Sequence, residues 1–482
     1  MATTRRHFLR VTALGSAGLL LGCGQPPLVG AAGEDGGVEL ADAGTEVRDP
    51  MDAGVEAVDA GQPKPPDAPE LLPEAFNFPL GLASGDVEPT RAVLWTRYDG
   101  TAPLQLRVWR MEGDVYAERV AEVTVVPGDG GFVHLDVDGL LPGERYRFAF
   151  FELDAQGAPS ARSGVARFRA AFAPGTKAPL VVGAVSCTAQ GKTPTPLLRA
   201  GERDDLDVFL LLGDTSYNDG ADTLSEYRTR WAANLASPEY RRLRAATSVL
   251  ATWDDHEVTN DFNPETIDAT KLATARQTYF EALPLRRHAT RPDRLWKSMR
   301  WGDTVEFFVL DSRGERKPST RLNGQPQIYL SREQLDWLKA GLQASTAVFK
   351  VILNSVPITD FGFSAFTGDG WLSYPQQRTE ILGFIEDESI DGVLWVSGDH
   401  HFASVGKVSL LGKGRQALEV LAGPGAQTAN PVWVGLRPPR WDFATGTNNY
   451  LRLHFDPLST SVEVIFVDAD GTELFAKRFT LT

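Results

Sequence analysis

The chain has 482 residues, 42% of them apolar and 23% charged, which is enough for two domains with separate cores and a tail. Of the formal net charge of −15, the stretch 34–74 supplies −10, from 12 acidic and 2 basic residues, so the acidity belongs to a tether and not to a binding surface. The remainder has no basic excess, which argues against a retained nucleic-acid complex and leaves nucleic acid only as a possible substrate.

Residues 1–23 stand outside the fold. Thr4-Arg5-Arg6-His7-Phe8-Leu9-Arg10 followed by the apolar run 11–22 reads as a twin-arginine export signal. Leu20-Leu21-Gly22-Cys23 resembles a lipobox, so Cys23 is expected to be the acylated N-terminus, a plain secretory signal with an accidental cysteine being the alternative. The expected location is periplasmic or cell-surface, with the membrane touched only through that anchor. With Cys23 acylated, Cys187 has no disulfide partner, and metal coordination and an inert buried thiol are equal readings of it.

Residues 24–75 repeat Asp-Ala-Gly at 42–44, 52–54 and 59–61 and are rich in Pro, a composition that cannot offset its ordering entropy; a disordered linker is expected. Over 76–173 short alternating runs (92–96, 104–109, 121–126, 132–137, 146–153, 166–168) are punctuated by Pro127-Gly128-Asp129-Gly130 and Leu141-Pro142-Gly143-Glu144, which predicts a small all-β sandwich of the immunoglobulin or fibronectin type.

From 174 to 482 the pattern becomes α/β. Strands are expected at 180–186, 208–212, 248–253, 305–310, 349–353 and 392–397, and helices at 224–233, 271–283, 331–342 and 377–388. Further strands follow at 407–410, 417–421, 450–455, 461–466 and 474–481, completing a second sheet. The expected fold is a layered β-sandwich flanked by helices, with ligands gathered where strands end.

Polar clusters end several of these apolar runs. Gly213-Asp214-Thr215-Ser216-Tyr217 places a carboxylate first after a buried strand and a phenol three residues on. Asp214 alone would more often be a cap or turn residue. Trp253-Asp254-Asp255-His256-Glu257 crowds four ionisable groups that repel one another unless a cation is bound, a solvated acidic turn being the alternative. In Gly398-Asp399-His400-His401, strand alternation would turn Asp399 and His401 to one side and His400 to the other. Thiolate, carboxylate, phenol and imidazole together suit a mixed-metal site.

These residues resemble the alkaline phosphatase D family of metallophosphatases, itself similar to the purple acid phosphatases. The likeness starts at Phe78-Pro79-Leu80-Gly81-Leu82-Ala83-Ser84-Gly85-Asp86 and runs through Trp253-Asp254-Asp255-His256-Glu257 and Leu310-Asp311-Ser312-Arg313 to Gly398-Asp399-His400-His401. The resemblance implies Fe(III) and Ca(II). Cys187, Asp214, Tyr217 and His401 would hold the iron, and Asp214 would bridge to a second ion shared by Asp255, Asn354 and Asp399, whose oxygen donors suit calcium. His256 would stay free of metal and serve catalysis at the leaving-group or a phosphoryl oxygen, with support of the ligands as its other reading. Arg313 would steady the substrate phosphate or pair with a carboxylate. One departure stands out: the family more often has an acidic residue directly after the tyrosine, whereas here Tyr217 is followed by Asn218 and Asp219.

The implied activity is an extracytoplasmic phosphatase acting on monoesters, diesters or both by attack of a metal-bound hydroxide, with a monomer expected. The alternatives are a dedicated phosphodiesterase or nuclease, and a non-catalytic surface lipoprotein whose metal site is structural.

Overall fold

The computed structural model describes residues 67–203, 205–322, 324–361, 368–430 and 440–481. The export signal, Cys23 and the linker up to residue 66 lie outside the described residues. Residues 67–75, expected as the end of that linker, are instead tied to the body: Ala75 N–H donates to Arg162 O at 2.7 Å, Arg162 N–H donates to Pro73 O at 2.9 Å, and Ala68 is buried with Trp109. Burial of these apolar residues offsets the ordering entropy that composition alone seemed to forbid.

Two large sheets stack face to face. The first runs in the order Glu473–Thr480, Ser461–Asp468, Asn449–Asp456, Leu180–Thr188, Val208–Leu212, Ser248–Thr252, Leu82–Gly85, Arg91–Arg97 and Phe132–Asp138, with Pro424–Ala426 also paired to Leu180–Thr188. The second runs Lys297–Trp301, Val305–Val309, Phe349–Asn354, Val393–Ser397, Leu418–Leu421, Ala403–Lys407 and Trp441–Thr445. Between them, inward residues such as Leu180, Val182, Leu210 and Leu212 meet Phe307, Val351, Leu353 and Val396. A Leu→Ala change in such a layer costs about 2–5 kcal/mol.

The alternate residues face helices. Phe209, Leu211, Val249 and Ala251 pack with Tyr227, Trp231 and Tyr279, from the helices Leu224–Leu235 and Ala269–Ala282. Phe308, Ile352 and Trp395 pack with Leu335, Leu338 and Ile381, from Arg332–Ala344 and Pro375–Asp387. Side chains start three of these helices: Thr223 and Glu226 form a reciprocal capping box, and Asp268 and Ser331 each accept from the N–H three residues on. The fold is thus mixed α/β, a double sheet with helices on both outer faces.

A third sheet contains Leu104–Glu112, Val115–Val125, Arg145–Leu153, Pro159–Arg162 and Ala166–Arg169. The stretch 76–173 therefore divides between two sheets. Leu82–Gly85, Arg91–Arg97 and Phe132–Asp138 continue the first sheet across a parallel pairing of Gly85 with Val249, while the remaining strands pack behind them through Leu94, Leu106, Val133 and Phe148. The apolar run at 407–410 is not a strand. The strand there is Ala403–Lys407, and Leu410 and Leu411 sit exposed in the following turn.

Candidate metal centre

The strands Leu180–Thr188, Val208–Leu212 and Ser248–Thr252 are parallel neighbours, so Cys187, Asp214 and Asp254 emerge at one edge of the first sheet. Gly213 makes that convergence possible. Its φ is +92°, and a Cβ there would lie 2.5 Å from Asp254 Cβ. Backbone bonds then lock the ends together, Cys187 N–H to Gly213 O and Thr188 N–H to Asp214 O, at 3.3 and 3.0 Å.

Four of the expected ligands adopt left-handed backbone, with φ of +54° at Cys187 and at Asp214, +69° at Asp399 and +55° at His401. Such conformations are unfavourable for residues with a Cβ and gather at functional sites. They replace the strand alternation expected there, while Asp399 and His401 each belong to a donor group of the centre and His400 to none among the described residues. His400, expected to turn away, has Nδ1 2.7 Å from Asp399 Oδ2.

Three groups of donors converge. Cys187, Asp214 and His401 offer ligand atoms within 4.8 Å of one another, and so do Asp214, Asp255 and His256, and Asp254, Asp255 and Asp399. Cys187 Sγ lies 3.5 Å from Asp214 Oδ2, and the Tyr217 hydroxyl donates to that same oxygen at 3.2 Å. The Asn354 amide oxygen accepts from Ser312 Oγ at 2.5 Å and from Trp371 Nε1 at 3.3 Å.

Arg313 is fully buried and spends its guanidinium on carboxylates. It bonds Asp254 through Nε, Asp369 at 2.6 Å and Asp399 at 2.9 Å, and lies 3.8 Å from Asp255. Of its two expected roles, the structure displays the pairing. Burial raises the carboxyl of Asp399, but the charges of Arg313 and His400 outweigh it and hold the group well below the usual range. Asp214 and Asp254 are driven the other way, well up, by burial together with their crowded neighbours. Burial, with Asp214 adjacent, also pushes the Cys187 thiol and the Tyr217 phenol up.

His256 Nδ1 lies 2.6 Å from Asp219 Oδ2, and its ring packs 4.1 Å from that of Tyr217, centre to centre. Burial alone would lower the imidazole pKa; the Asp219 bond and the charge of Asp255 raise it overall. Asp219 also accepts from Asn260 N–H at 2.6 Å. The acid absent directly after Tyr217 thus stands two places on, while Asn218 is buried and donates to Glu257 O.

The donor set fits bound cations. Asp214 Oδ1 and Asp254 Oδ2 are buried with no hydrogen-bond partner among the described residues, an arrangement that costs several kcal/mol for a carboxylate unless something positive meets it. Sulfur, phenol and imidazole lie around Asp214, and an oxygen-only set of Asp254, Asp255 and Asp399 adjoins it.

Residues 180–431 match the family described as PhoD-like phosphatase, and residues 66–172 match the N-terminal domain of PhoD-like phosphatases. The chain belongs to the PhoD-like phosphatase family. Alkaline phosphatase D of Bacillus subtilis (strain 168) is 28% identical over 386 residues, 68% of this chain and 65% of that protein, so the chain matches just under two thirds of that relative's length. Among solved structures, one described as PhoD superposes with a TM-score of 0.71 at 23% identity, covering 84% of this chain and 89% of its own. The purple acid phosphatase PPD1 from yellow lupin (Lupinus luteus) seeds gives 0.59 at 14% identity, covering 83% and 73%. These likenesses establish the fold, and the family implies metal ions.

Four residues that matter here lie outside the expected site. Asp254 and Glu257 flank the pair singled out in their motif, and Asp219 sits in the loop noted for its departure. Asp369 carries no sequence signal; only the fold brings it to Arg313.

Proposed function

We propose that this chain is a metal-dependent hydrolase of phosphate monoesters, diesters or both, acting outside the cytoplasm. Asp214 carries the reading: it is buried, has one oxygen unpartnered among the described residues, and belongs both to the group of Cys187 and His401 and to that of Asp255 and His256. The family and the Bacillus subtilis relative's name support phosphatase chemistry.

Cys187, Asp214, Tyr217 and His401 would hold ferric iron, for which thiolate and phenolate are suited ligands. Asp254, Asp255 and Asp399, with Asp214 shared, would hold a hard cation such as calcium. Cations there would act as Lewis acids, making water a nucleophile near neutral pH and offsetting phosphoryl charge.

The protein's own groups do the rest. Asp219 fixes the His256 ring by taking the Nδ1 proton bond, which leaves Nε2 to donate to the leaving-group oxygen. Arg313, held by four carboxylates, sets the positions of Asp254 and Asp399. The twin-arginine-like start and Cys23 support export of the folded protein and a lipid anchor; no described helix is long and apolar enough to cross a membrane.

The test is phosphate release by purified, exported protein from p-nitrophenyl phosphate and its bis ester, before and after chelation. Chelator-sensitive hydrolysis supports the reading, the two esters divide monoesterase from diesterase, and a metal-filled protein inert toward both overturns it.

A further inference from the structure

The loop leaving Cys187 touches the candidate metal centre through Gln190, whose Oε1 accepts from Tyr217 N–H at 3.0 Å, and continues to Lys192. Ala189 N–H donates to Ala426 O at 3.0 Å, and Asn430 N–H donates to His401 O at 3.1 Å, so the segment 426–430 ties the Cys187 loop to His401. Lys192 Nζ reaches across to this segment, donating to Gln427 Oε1 at 2.6 Å and to Thr428 Oγ1 at 2.7 Å. The Gln427 side chain in turn neighbours the Tyr217 phenol, which itself donates to Asp214. One amide side chain therefore separates the Lys192 ammonium from a group assigned to the metal centre.

Charge sets Lys192 apart from the cations around it. Arg313 is fully buried and neutralised by carboxylates. Lys192 is exposed and meets no carboxylate among the described residues; both of its acceptors are neutral. An amide and a hydroxyl orient an ammonium without cancelling its charge, so a full positive charge is held in place at the rim of an otherwise acidic site. A charge so placed attracts anions, and it lies outside the reacting centre.

We propose that Lys192 is a specificity residue that binds a second anionic group, a phosphate or carboxylate carried by the substrate beyond the phosphate being cleaved. The inference rests on the hydrolase reading and narrows its substrate class to esters bearing such a group. Gln427 and Thr428 position the ammonium, and binding the second anion needs no change in the metal ligands.

The experiment compares the metal-loaded, full-length protein on phenyl phosphate and on 3-(carboxymethyl)phenyl phosphate, two esters with similar leaving groups. The expected result is a preference in kcat/KM for the carboxylated ester, seated in KM. Lys192→Gln should cut that preference about three- to five-fold, the scale of an exposed ion pair, and Lys192→Arg should keep it. Raising the salt from about 20 mM to about 500 mM should erode the preference of the native protein and not that of Lys192→Gln. No preference in the native protein, or one that survives Lys192→Gln, overturns the assignment. A native protein that cleaves neither monoester yet hydrolyses bis(p-nitrophenyl) phosphate overturns this assignment and spares the hydrolase reading, whereas one inert toward all three refutes that reading, so the two failures are distinguishable.

Discussion

The Glu257 carboxylate accepts hydrogen bonds from the backbone N–H of Asp214, at 3.0 Å, and of Asp254, at 2.8 Å, binding the ends of two neighbouring strands to one buried side chain. Thr215 N–H, at 2.6 Å, and Ser216 N–H, at 3.3 Å, also donate to it. Burial raises the Glu257 pKa, and these backbone donors oppose that rise. Glu257→Ala would orphan four buried donors at about 1–3 kcal/mol each, with partial relaxation. The expected loss is about 4 kcal/mol or more in thermal or denaturant unfolding, accompanied by loss of metal.

Gly213 is the second point where the ligand loops depend on a single residue. Its backbone is left-handed, and an added methyl would overlap Asp254. Gly213→Ala is expected to destabilise by well over about 1 kcal/mol and to reduce metal content by parting Asp214 from Asp254. An equivalent change at the open, left-handed Gly191, where nothing lies within reach of a Cβ, should cost only the backbone strain and leave metal content intact.

The Asp219 and His256 pair predicts a pH window in metal-free protein. The folded His256 pKa is raised, so its contribution is full below the unfolded value of about 6.5 and fades as pH rises through the folded value. Burial raises the Asp219 pKa, but the His256 bond outweighs it and the net shift is down, so its contribution is full above about 3.9 and fades as pH falls through the folded value. The Tm difference between native protein and Asp219→Asn should therefore be largest between about pH 4 and 6.5 and shrink toward pH 9.

Strand ends that carry glycine or a carboxylate were readable from residue order, because Asp214, Asp255 and Asp399 each follow closely on a buried apolar run, where a charge needs a cation or a donor to meet it. Pairings across the chain were not. Ala92 to Thr96 read as a strand of a separate sandwich, yet its place in the first sheet is set by the pairing of Gly85 with Val249, which no local pattern encodes. Lys297–Trp301 went unnoticed because an edge strand with two cationic residues has no continuous apolar run. Asp369 reaches Arg313 only through the fold.

Removing the cations should destabilise the protein more at high pH than at low. Asp214 and Asp254 have raised pKa values, so in metal-free protein they disfavour folding fully above their folded values and not at all below the unfolded carboxylate value of about 3.9. The drop in Tm on chelation is expected to be larger at pH 8 than at pH 5. Because Cys187 and Tyr217 are also pushed up, cation uptake should release protons, and affinity should rise with pH.

Asp214 stands in two of the three donor groups, which makes its replacement decisive. Plasma mass spectrometry of exported native protein and of Asp214→Ala should find iron and a second cation in the former and the loss of both in the latter. An Asp214→Ala protein that folds and keeps both ions at native stoichiometry would contradict a shared metal centre at these strand ends.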